Sequence, residues 1–401
     1  MRGFLIFILL ITLTFSGFGL TLDEAVKLAR KNNPEIRAAR SKSQAAKNKI
    51  SSISTWPDPE LLLTYEQVPQ TGSLSQAQMK MYGLAQKIPF PGTMLTRRQQ
   101  GEALAGVWQE KYRASELAVV AKVKQAYYEL FYLEKTIGLT KDNRDLLQGL
   151  AKTVETKYSV AKASQRDALL ARVEYLTLEN NLITLRQQRS VALTNLNFLL
   201  SRQPQTEVHL PPELTVFQTE PELAIENSPQ LKMAQAKILA QQKVQGLARL
   251  EALPDFKVSL MQRELATTGL DGWNVNFAAT VPLWFWSKTS KNSEANELLA
   301  AAQSNYEEAV NQVRFQAQKS YVELAAAKRS FELLESEIVP QAKQTFKAAQ
   351  IAYQADQIDF DALIKSQTMY LHSQLSYYKA LTDWGKSLAK LEEILGGANY
   401  E

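Results

Sequence analysis

The chain repeats a set of short motifs about 195 residues later, the separation of Pro34 from Pro229, and this duplication constrains the fold more than any other feature. The paired motifs keep the same order and nearly the same spacing. They are Asn33-Pro34-Glu35-Ile36 with Ser228-Pro229-Gln230-Leu231, Pro57-Asp58 with Pro254-Asp255, Lys87-Ile88-Pro89 with Thr280-Val281-Pro282, Tyr127-Tyr128-Glu129-Leu130 with Tyr321-Val322-Glu323-Leu324, and Asp167-Ala168-Leu169 with Asp361-Ala362-Leu363. Chance matches would not keep their order over such a distance. The sequence therefore predicts one pseudo-symmetric body of two similar halves.

Residues 1–19 carry the pattern of a secretory signal peptide. Arg2 precedes an apolar run over residues 4–11, and small residues follow at Ser16, Gly17 and Gly19. The run is too short to cross a bilayer as a helix of the mature chain, which is expected to begin near Leu20. An uncleaved anchor is the alternative.

Composition excludes several kinds of chemistry. The chain has no cysteine, so disulfides, thiolate metal sites and a cysteine-linked lipid are excluded. Lys and Arg (46) exceed Asp and Glu (41) only slightly and are scattered, which argues against nucleic acid as a partner. His209 and His372 stand apart from any carboxylate at ligand spacing, and Met79 and Met81 are better explained by packing than by soft-metal binding. No nucleophile elbow or phosphate-binding loop is present, so neither an enzyme nor a cofactor is expected.

Each half is predicted to contain two strands followed by two long helices. A helical pattern from Leu22 to about residue 52 comes first, with Thr21 and Glu24 as its capping box and Pro34 as an interruption. In the first half, 20–205, we expect strands at about 59–67 and 78–88 and helices at about 93–158 and 167–200. After a linker at 206–220, the second half, 221–401, is expected to have strands at about 255–264 and 273–281 and helices at about 290–352 and 361–395, the first of them interrupted at Pro340.

Alternation in the second pair of strands suggests contact with a membrane. Apolar side chains alternate there with polar or small ones, as in a strand between lipid and a wet lumen. The predicted lipid-facing residues are Phe256, Val258, Leu260, Trp273, Val275 and Phe277. A hairpin packed on helices in a soluble protein would show the same alternation, which leaves that alternative open. Past residue 20 no apolar stretch is long enough for a transmembrane helix, so a mature chain that enters a membrane must do so as β-strands.

Four strands cannot close on themselves in a membrane. Unpaired edges are costly in hydrocarbon, and about eight strands are the minimum for a closed barrel. Strands from several chains would therefore have to share one barrel. Three chains would supply twelve strands, but the sequence excludes one chain without choosing three.

The expected mature chain begins with Leu20-Thr21-Leu22-Asp23-Glu24-Ala25, followed by Asn33-Pro34-Glu35, Lys87-Ile88-Pro89, and the paired turns at 158–167 and 353–361. Together these motifs resemble the TolC-type outer-membrane efflux family, most closely its cation-efflux (CzcC/CusC-type) branch. The resemblance implies a mainly α fold with membrane β: a homotrimer that forms a twelve-stranded β-barrel in outer-membrane lipid, on a periplasmic α-helical barrel. It further implies an exit duct in the outer membrane of a Gram-negative-type bacterium, with a large periplasmic part. Such a duct conducts substrates passively, with heavy-metal cations as candidate cargo, from a periplasmic adaptor and an inner-membrane pump of the RND type. A periplasmic coiled-coil adaptor or scaffold without a membrane barrel is the alternative.

The turns between the paired helices hold the candidate functional residues. Since the helices are long, these turns should lie roughly 100 Å from the strands, at the periplasmic mouth. Symmetric copies of Asp356, Asp359 and Asp361 would form a carboxylate ring that selects cations and gates the pore. The other interpretation is that Asp361, like Asp167 in the first half, caps the returning helix and the rest are solvated. The residues expected to dock an adaptor are Tyr158, Ala161, Lys162, Gln165, Tyr353 and Gln357. Ala161 and Asp356 stand where the family usually has glycine, and aspartate tolerates a left-handed conformation better than alanine does.

Overall fold

The structure is a computed structural model that describes residues 19–70, 72–160, 163–214, 223–265 and 271–397. The helices are α1 Leu22–Asn32, α2 Pro34–Ser54, α3 Thr93–Ser159, α4 Gln165–Leu199, α5 Pro229–Leu250, α6 Phe285–Leu333, α7 Val339–Gln354 and α8 Phe360–Leu395. The strands are β1 Glu60–Glu66, β2 Met79–Ile88, β3 Phe256–Leu265 and β4 Gly272–Ala279. The expected signal peptide, apart from Gly19, lies outside the described residues. Among those residues, no helix has the length and apolar character required to cross a membrane.

Local sequence signals explain where several helices begin. Thr21 and Glu24 form the predicted capping box of α1, in which each side chain accepts a hydrogen bond from the other residue's backbone N–H. These hydrogen bonds lower the pKa of Glu24 below its usual value. Helix α6 begins at Phe285, earlier than the predicted start near 290, because helix can form as soon as Pro282 has been passed.

The long arm of the second half contains a π-helical segment that the sequence analysis did not predict. The segment, Leu334–Ile338, links α6 to α7, so the chain stays helical where an interruption at Pro340 was expected. Proline lacks an N–H and its ring crowds the carbonyl four residues earlier, here that of Ser336. A widened turn relieves this crowding without ending the helix.

The chain forms two compact units, and each combines segments of both sequence halves. Unit 1 is made of Met1–Pro34, Leu117–Glu222 and Gln318–Glu393, and unit 2 of Glu35–Glu116, Leu223–Ala317 and Ile394–Glu401. Unit 2 contains the sheet, which has the order β1-β2-β3-β4 with every neighbouring pair antiparallel. Strands β2 and β3 come from different halves. Their pairing joins the two hairpins into one sheet.

Unit 1 is built from helices around large buried side chains. Tyr127, Leu130 and Phe131 on α3 are almost completely buried. The Tyr127 hydroxyl donates a 2.8 Å hydrogen bond to the Leu20 carbonyl, which ties the start of the described chain to α3. Burial raises the pKa of this hydroxyl far above its usual value, so it stays protonated and able to donate.

A glycine on α8 makes room for the neighbouring aromatic ring of α3. A Cβ on Gly385 would lie only 2.7 Å from Cε1 of Tyr128. We expect Gly385→Ala to lower the free energy of unfolding by about 1–3 kcal/mol, because the ring is buried and cannot move aside freely. Denaturant titration of the purified full-length protein measures this change.

Gly138→Ala provides the matched control. Gly138 also lies inside a helix, α3, but a Cβ there meets nothing within 4 Å. Alanine should therefore stabilise the protein by about 0.5–1 kcal/mol through its better helix propensity. Equal effects of the two substitutions would contradict the proposed close packing at Gly385.

Candidate functional site

The two helix-to-helix turns share one apolar cluster in unit 1. The ends of α3 and α7 and the starts of α4 and α8 contribute to it. The rings of Tyr353 and Phe360 lie 5.8 Å apart at the centre of the second turn. The buried members are Leu147, Val154, Ala171, Phe346, Tyr353, Phe360, Leu363 and Ile364. Side chains from the first turn thus pack directly against those of the second.

Asp356 has the left-handed conformation that the sequence analysis expected at this position, with a φ of 55°. Its backbone N–H donates to the Tyr353 carbonyl, and the N–H of Gln357 donates to the Ala352 carbonyl. These two hydrogen bonds form a Schellman motif, which satisfies the last carbonyls of α7. The motif needs one left-handed residue, and aspartate tolerates that conformation better than most residues other than glycine.

Lys157 connects the first turn to the second. Its Nζ donates a 2.7 Å hydrogen bond to Oδ1 of Asp356 and lies 4.5 Å from the centroid of the Tyr353 ring. The hydrogen bond to Asp356 raises the pKa of Lys157 above its ordinary value. Sequence reasoning did not single out this lysine. Its place in the last turn of a long helix, opposite an expected acidic turn, is the signal that would have identified it.

The other two acidic residues of the second turn have different roles from those expected. Asp359, rather than Asp361, caps α8, since its Oδ1 accepts a 2.8 Å hydrogen bond from the Ala362 N–H. Asp361 lies in the first turn and forms a 2.6 Å ion pair with Lys365. The hydrogen bond with Lys365 holds the pKa of Asp361 below its usual value, so the group is charged at neutral pH.

The first turn needs the same correction. Ser164 is the N-cap of α4, and Asp167 is its capping-box partner rather than the cap. Helices α4 and α8 therefore begin before Asp167 and Asp361, the residues at which the sequence predicts their starts. The reason is that serine and aspartate cap equally well, so residue type alone does not decide the position.

The residues expected to dock an adaptor differ in accessibility. Tyr158, Gln165 and Gln357 are exposed, whereas Tyr353 is only 9% exposed and packs inside the apolar cluster. Ala161 and Lys162 lie outside the described residues. The turns thus expose polar side chains together with Tyr158 and Val160, over the buried rings of Tyr353 and Phe360.

One face of the sheet in unit 2 exposes apolar side chains on all four strands. In an antiparallel pair, partner residues point to the same face, and the register pairs Leu84 with Leu260, which pairs with Val275. The exposed side chains of this face are Leu61, Leu63, Tyr65, Tyr82, Leu84, Phe256, Leu260, Trp273, Val275 and Phe277, and Val258 is half-buried among them. The register therefore places the apolar side chains of the first hairpin on the same face as those of the second.

The opposite face of the sheet is polar and closely packed. Asn276 donates to Ser259 Oγ at 3.3 Å, and the Asn274 amide contacts Met81 Sδ at 3.4 Å. Met261 and Ala85 are buried on this face. A sheet with one exposed apolar face and one polar face has the pattern of a strand wall between lipid and water.

The family model for outer membrane efflux proteins matches residues 25–202 and 221–397. The chain belongs to this family. An outer membrane efflux protein is a channel through which exported substrates leave the cell, and it has a large periplasmic part. The expected outer-membrane location and exit-duct function are therefore confirmed. The resemblance to TolC-type proteins is confirmed by the same match.

Known relatives of this outer membrane efflux protein extend over nearly the whole chain. The cobalt-zinc-cadmium resistance protein CzcC of Cupriavidus metallidurans is 21% identical over 382 residues, 94% of this chain and 90% of that protein. The outer-membrane channel OprN has a TM-score of 0.79 at 16% identity, covering 94% of this chain and 90% of its own. The CmeC channel of Campylobacter jejuni has a TM-score of 0.78 at 15% identity, and the match covers 94% of this chain and 85% of CmeC. CusC has a TM-score of 0.79 at 14% identity, and the match covers 94% of this chain and 92% of CusC. These likenesses confirm the mainly α fold with a small antiparallel sheet.

No group of three His, Asp or Glu side chains within the described ranges is arranged to hold a metal ion. His372 lies on α8 beside a groove lined mainly by threonine and leucine side chains.

Proposed function

We propose that the chain works as a homotrimer, the exit duct of a tripartite system that an adaptor and an RND-type pump complete. The observation that carries this proposal is the two-faced sheet. Its edge strands β1 and β4 have no further strand partner among the described residues, and its apolar face is exposed. Unpaired edges are costly in lipid, and pairing with the edges of two further chains would close a twelve-stranded barrel. The residues Phe256, Val258, Leu260, Trp273, Val275 and Phe277 then face lipid.

We further propose divalent heavy-metal cations as the cargo. Of the relatives described above, CzcC has a name that specifies its cargo: it is a cobalt-zinc-cadmium resistance protein. The chain lacks a phosphate-binding loop or other motif for energy conversion, so conduction is passive and the pump supplies the work.

Deletion of the gene is expected to raise the accumulation of cobalt, zinc or cadmium in cells exposed to these salts. A plasmid copy should restore export, since the duct is the only part removed. Metal content per cell, measured by mass spectrometry, gives the result. A parallel series with organic drugs serves as the control, and restored export of drugs without restored export of metals would contradict the proposed cargo.

The gate is proposed to lie at the helix-to-helix turns. Three copies of Asp356, Asp359 and Asp361 would surround one axis, where like charges repel and cations relieve the repulsion. Adaptor groups would dock on the exposed Tyr158, Gln165 and Gln357, together with Ala161 and Lys162, and Tyr353 would support this surface from below. Docking opens the duct by repacking the paired helices, which requires the Lys157 ion pair with Asp356 to rearrange.

Replacing Asp359 and Asp361 together with asparagine is expected to reduce cation preference and the block by divalent or trivalent ions. Asparagine caps helices as well as aspartate does, so α8 should still form after Asp359→Asn. The lost ion pair with Lys365 is exposed to solvent, so its loss should change stability little. Single-channel recordings in planar bilayers measure reversal potential and block.

The control for this variant is the double substitution Glu297→Gln and Glu307→Gln. It removes the same charge from exposed positions of α6, far along the chain from both turns. Selectivity should stay unchanged in the control. The proposed gate is wrong if the Asp359 and Asp361 variant behaves like the control.

A further inference from the structure

A small cavity in unit 2 lies between the end of α5 and the start of α6. Its volume is about 330 Å³. Ala248, Pro282 and Phe285 form an apolar wall, and Arg249, Lys288 and Asn292 supply polar groups. The lining of the cavity is therefore partly apolar and partly cationic.

The charged groups of this cavity lack partners among the described residues. Neither the Arg249 side chain nor the Lys288 side chain forms an ion pair or hydrogen bond there. Lys291, one turn further along α6, does pair with Glu251 at 3.3 Å. The Asn292 Oδ1 atom is buried without a hydrogen-bond partner, although burying an unpaired polar group is costly. Rotation of this amide would present its NH₂ group as a donor instead.

These groups favour an anion. Two unpaired cations line the cavity, and Lys288 lies near the N-terminus of the long helix α6, whose dipole adds positive potential. A phosphate group would satisfy the guanidinium, the ammonium and the amide together.

The surroundings of the cavity point to a lipid. Directly after β4, the chain exposes a run of large apolar side chains, with Trp284 at 66%, Phe285 at 70% and Trp286 at 55% exposure. The run follows β4 along the chain by a few residues, and Phe277 on the apolar face of β4 is 79% exposed. Tryptophan is typical of the boundary between hydrocarbon and headgroups. The cavity thus opens where a headgroup would lie if the sheet stands in lipid.

We propose that this cavity binds the phosphate of an anionic glycerophospholipid, with Arg249 and Lys288 as its cationic ligands and the Phe285 wall against the glycerol and upper acyl chain. The site rests on the proposed lipid-facing surface of the sheet. It would anchor each chain at a defined depth in the inner leaflet. The first half has Lys87-Ile88-Pro89-Phe90-Pro91-Gly92 at the corresponding place and lacks the tryptophan pair, so one site per chain is expected.

Native mass spectrometry of the full-length protein in detergent tests the proposal. Phosphatidylglycerol is added to wild type, to the double variant Arg249→Gln with Lys288→Gln, and to the control Lys237→Gln with Lys243→Gln, which removes the same charge from α5 outside the cavity. Each cation is expected to donate a charge-assisted hydrogen bond to the lipid phosphate. The cavity variant should therefore bind phosphatidylglycerol at least about tenfold more weakly than wild type. The control should bind like wild type.

Three results would overturn the site. Equal binding by the cavity variant and the control would show that these cations do not hold the lipid. Equal binding of diacylglycerol, which has no phosphate, would show that apolar contact alone is responsible. Displacement of the lipid by millimolar inorganic phosphate would assign the cavity to a free anion.

Membrane fractionation separates this proposal from the function on which it rests. Wild-type protein recovered from outer membranes but without preference for phosphatidylglycerol contradicts the lipid site alone. Recovery of wild type only in the soluble periplasmic fraction contradicts the lipid-facing sheet and the lipid site together.

Discussion

Arginine at Val275 or Phe277 is expected to prevent assembly of the protein in the outer membrane. Both side chains lie on the exposed apolar face of the sheet, at 54% and 79% exposure. A cation facing hydrocarbon near the middle of the bilayer costs about 2–4 kcal/mol, and a trimer would carry that cost three times. Outer-membrane fractions, cross-linked in detergent and separated by electrophoresis, would then contain little or no trimer.

Asn276→Arg is the matched control, because residue 276 lies between the other two on the opposite face. Its side chain gives up one hydrogen bond to Ser259, which costs only about 1 kcal/mol. Arginine there would point into the wet lumen, and trimer should remain abundant. Equal loss of trimer at all three positions, or at none, would show that the assignment of the two faces is wrong.

Gly83→Ala is expected to disrupt the joint between the two hairpins. Gly83 pairs with Met261 across the β2–β3 boundary, and a Cβ at residue 83 would collide with the backbone carbonyl of Leu260. A backbone atom held in a sheet cannot move aside as a side-chain tip can, so β2 and β3 must separate. The cost should reach or exceed the upper end of the usual 1–3 kcal/mol for overpacking. A lowered midpoint of thermal unfolding, together with less protein in outer membranes, would report it.

Gly272→Ala applies the same substitution to another glycine of the sheet. A Cβ there meets only the flexible end of the Arg263 side chain, at 3.4 Å. The unfolding midpoint should therefore change little. If both alanine variants unfold at the same temperature, close approach of the strands at Gly83 is not a constraint on the sheet.

Local patterns made much of this protein predictable. The capping box at Thr21 and Glu24, the left-handed Asp356 and the alternation at Val275 and Phe277 each depend on residues a few positions apart, whose geometry is that of a single turn or strand. The efflux-family resemblance rested on such motifs in a constant order, and the family match confirmed it.

Other features were missed because local sequence supports more than one answer. Ser164 and Asp167 are both good capping residues, and so are Asp359 and Asp361, so residue type alone does not show that Ser164 and Asp359 are the caps. The sequence near Pro340 predicts an interruption and not the π-helical segment, since proline disfavours helix whether the chain ends or widens its turn there.

The repeating elements, the two-faced strands and the family follow from the sequence alone, because all of these depend on periodicity and short-range spacing. Contacts between distant residues depend instead on the tertiary structure. It paired β2 with β3, which placed Leu84 on the same face as Leu260, and it brought Lys157 to Asp356 and Lys288 to Arg249 around their respective sites. Such contacts depend on the register of strands and the packing of helices that are far apart along the chain, and no spacing within one segment specifies them.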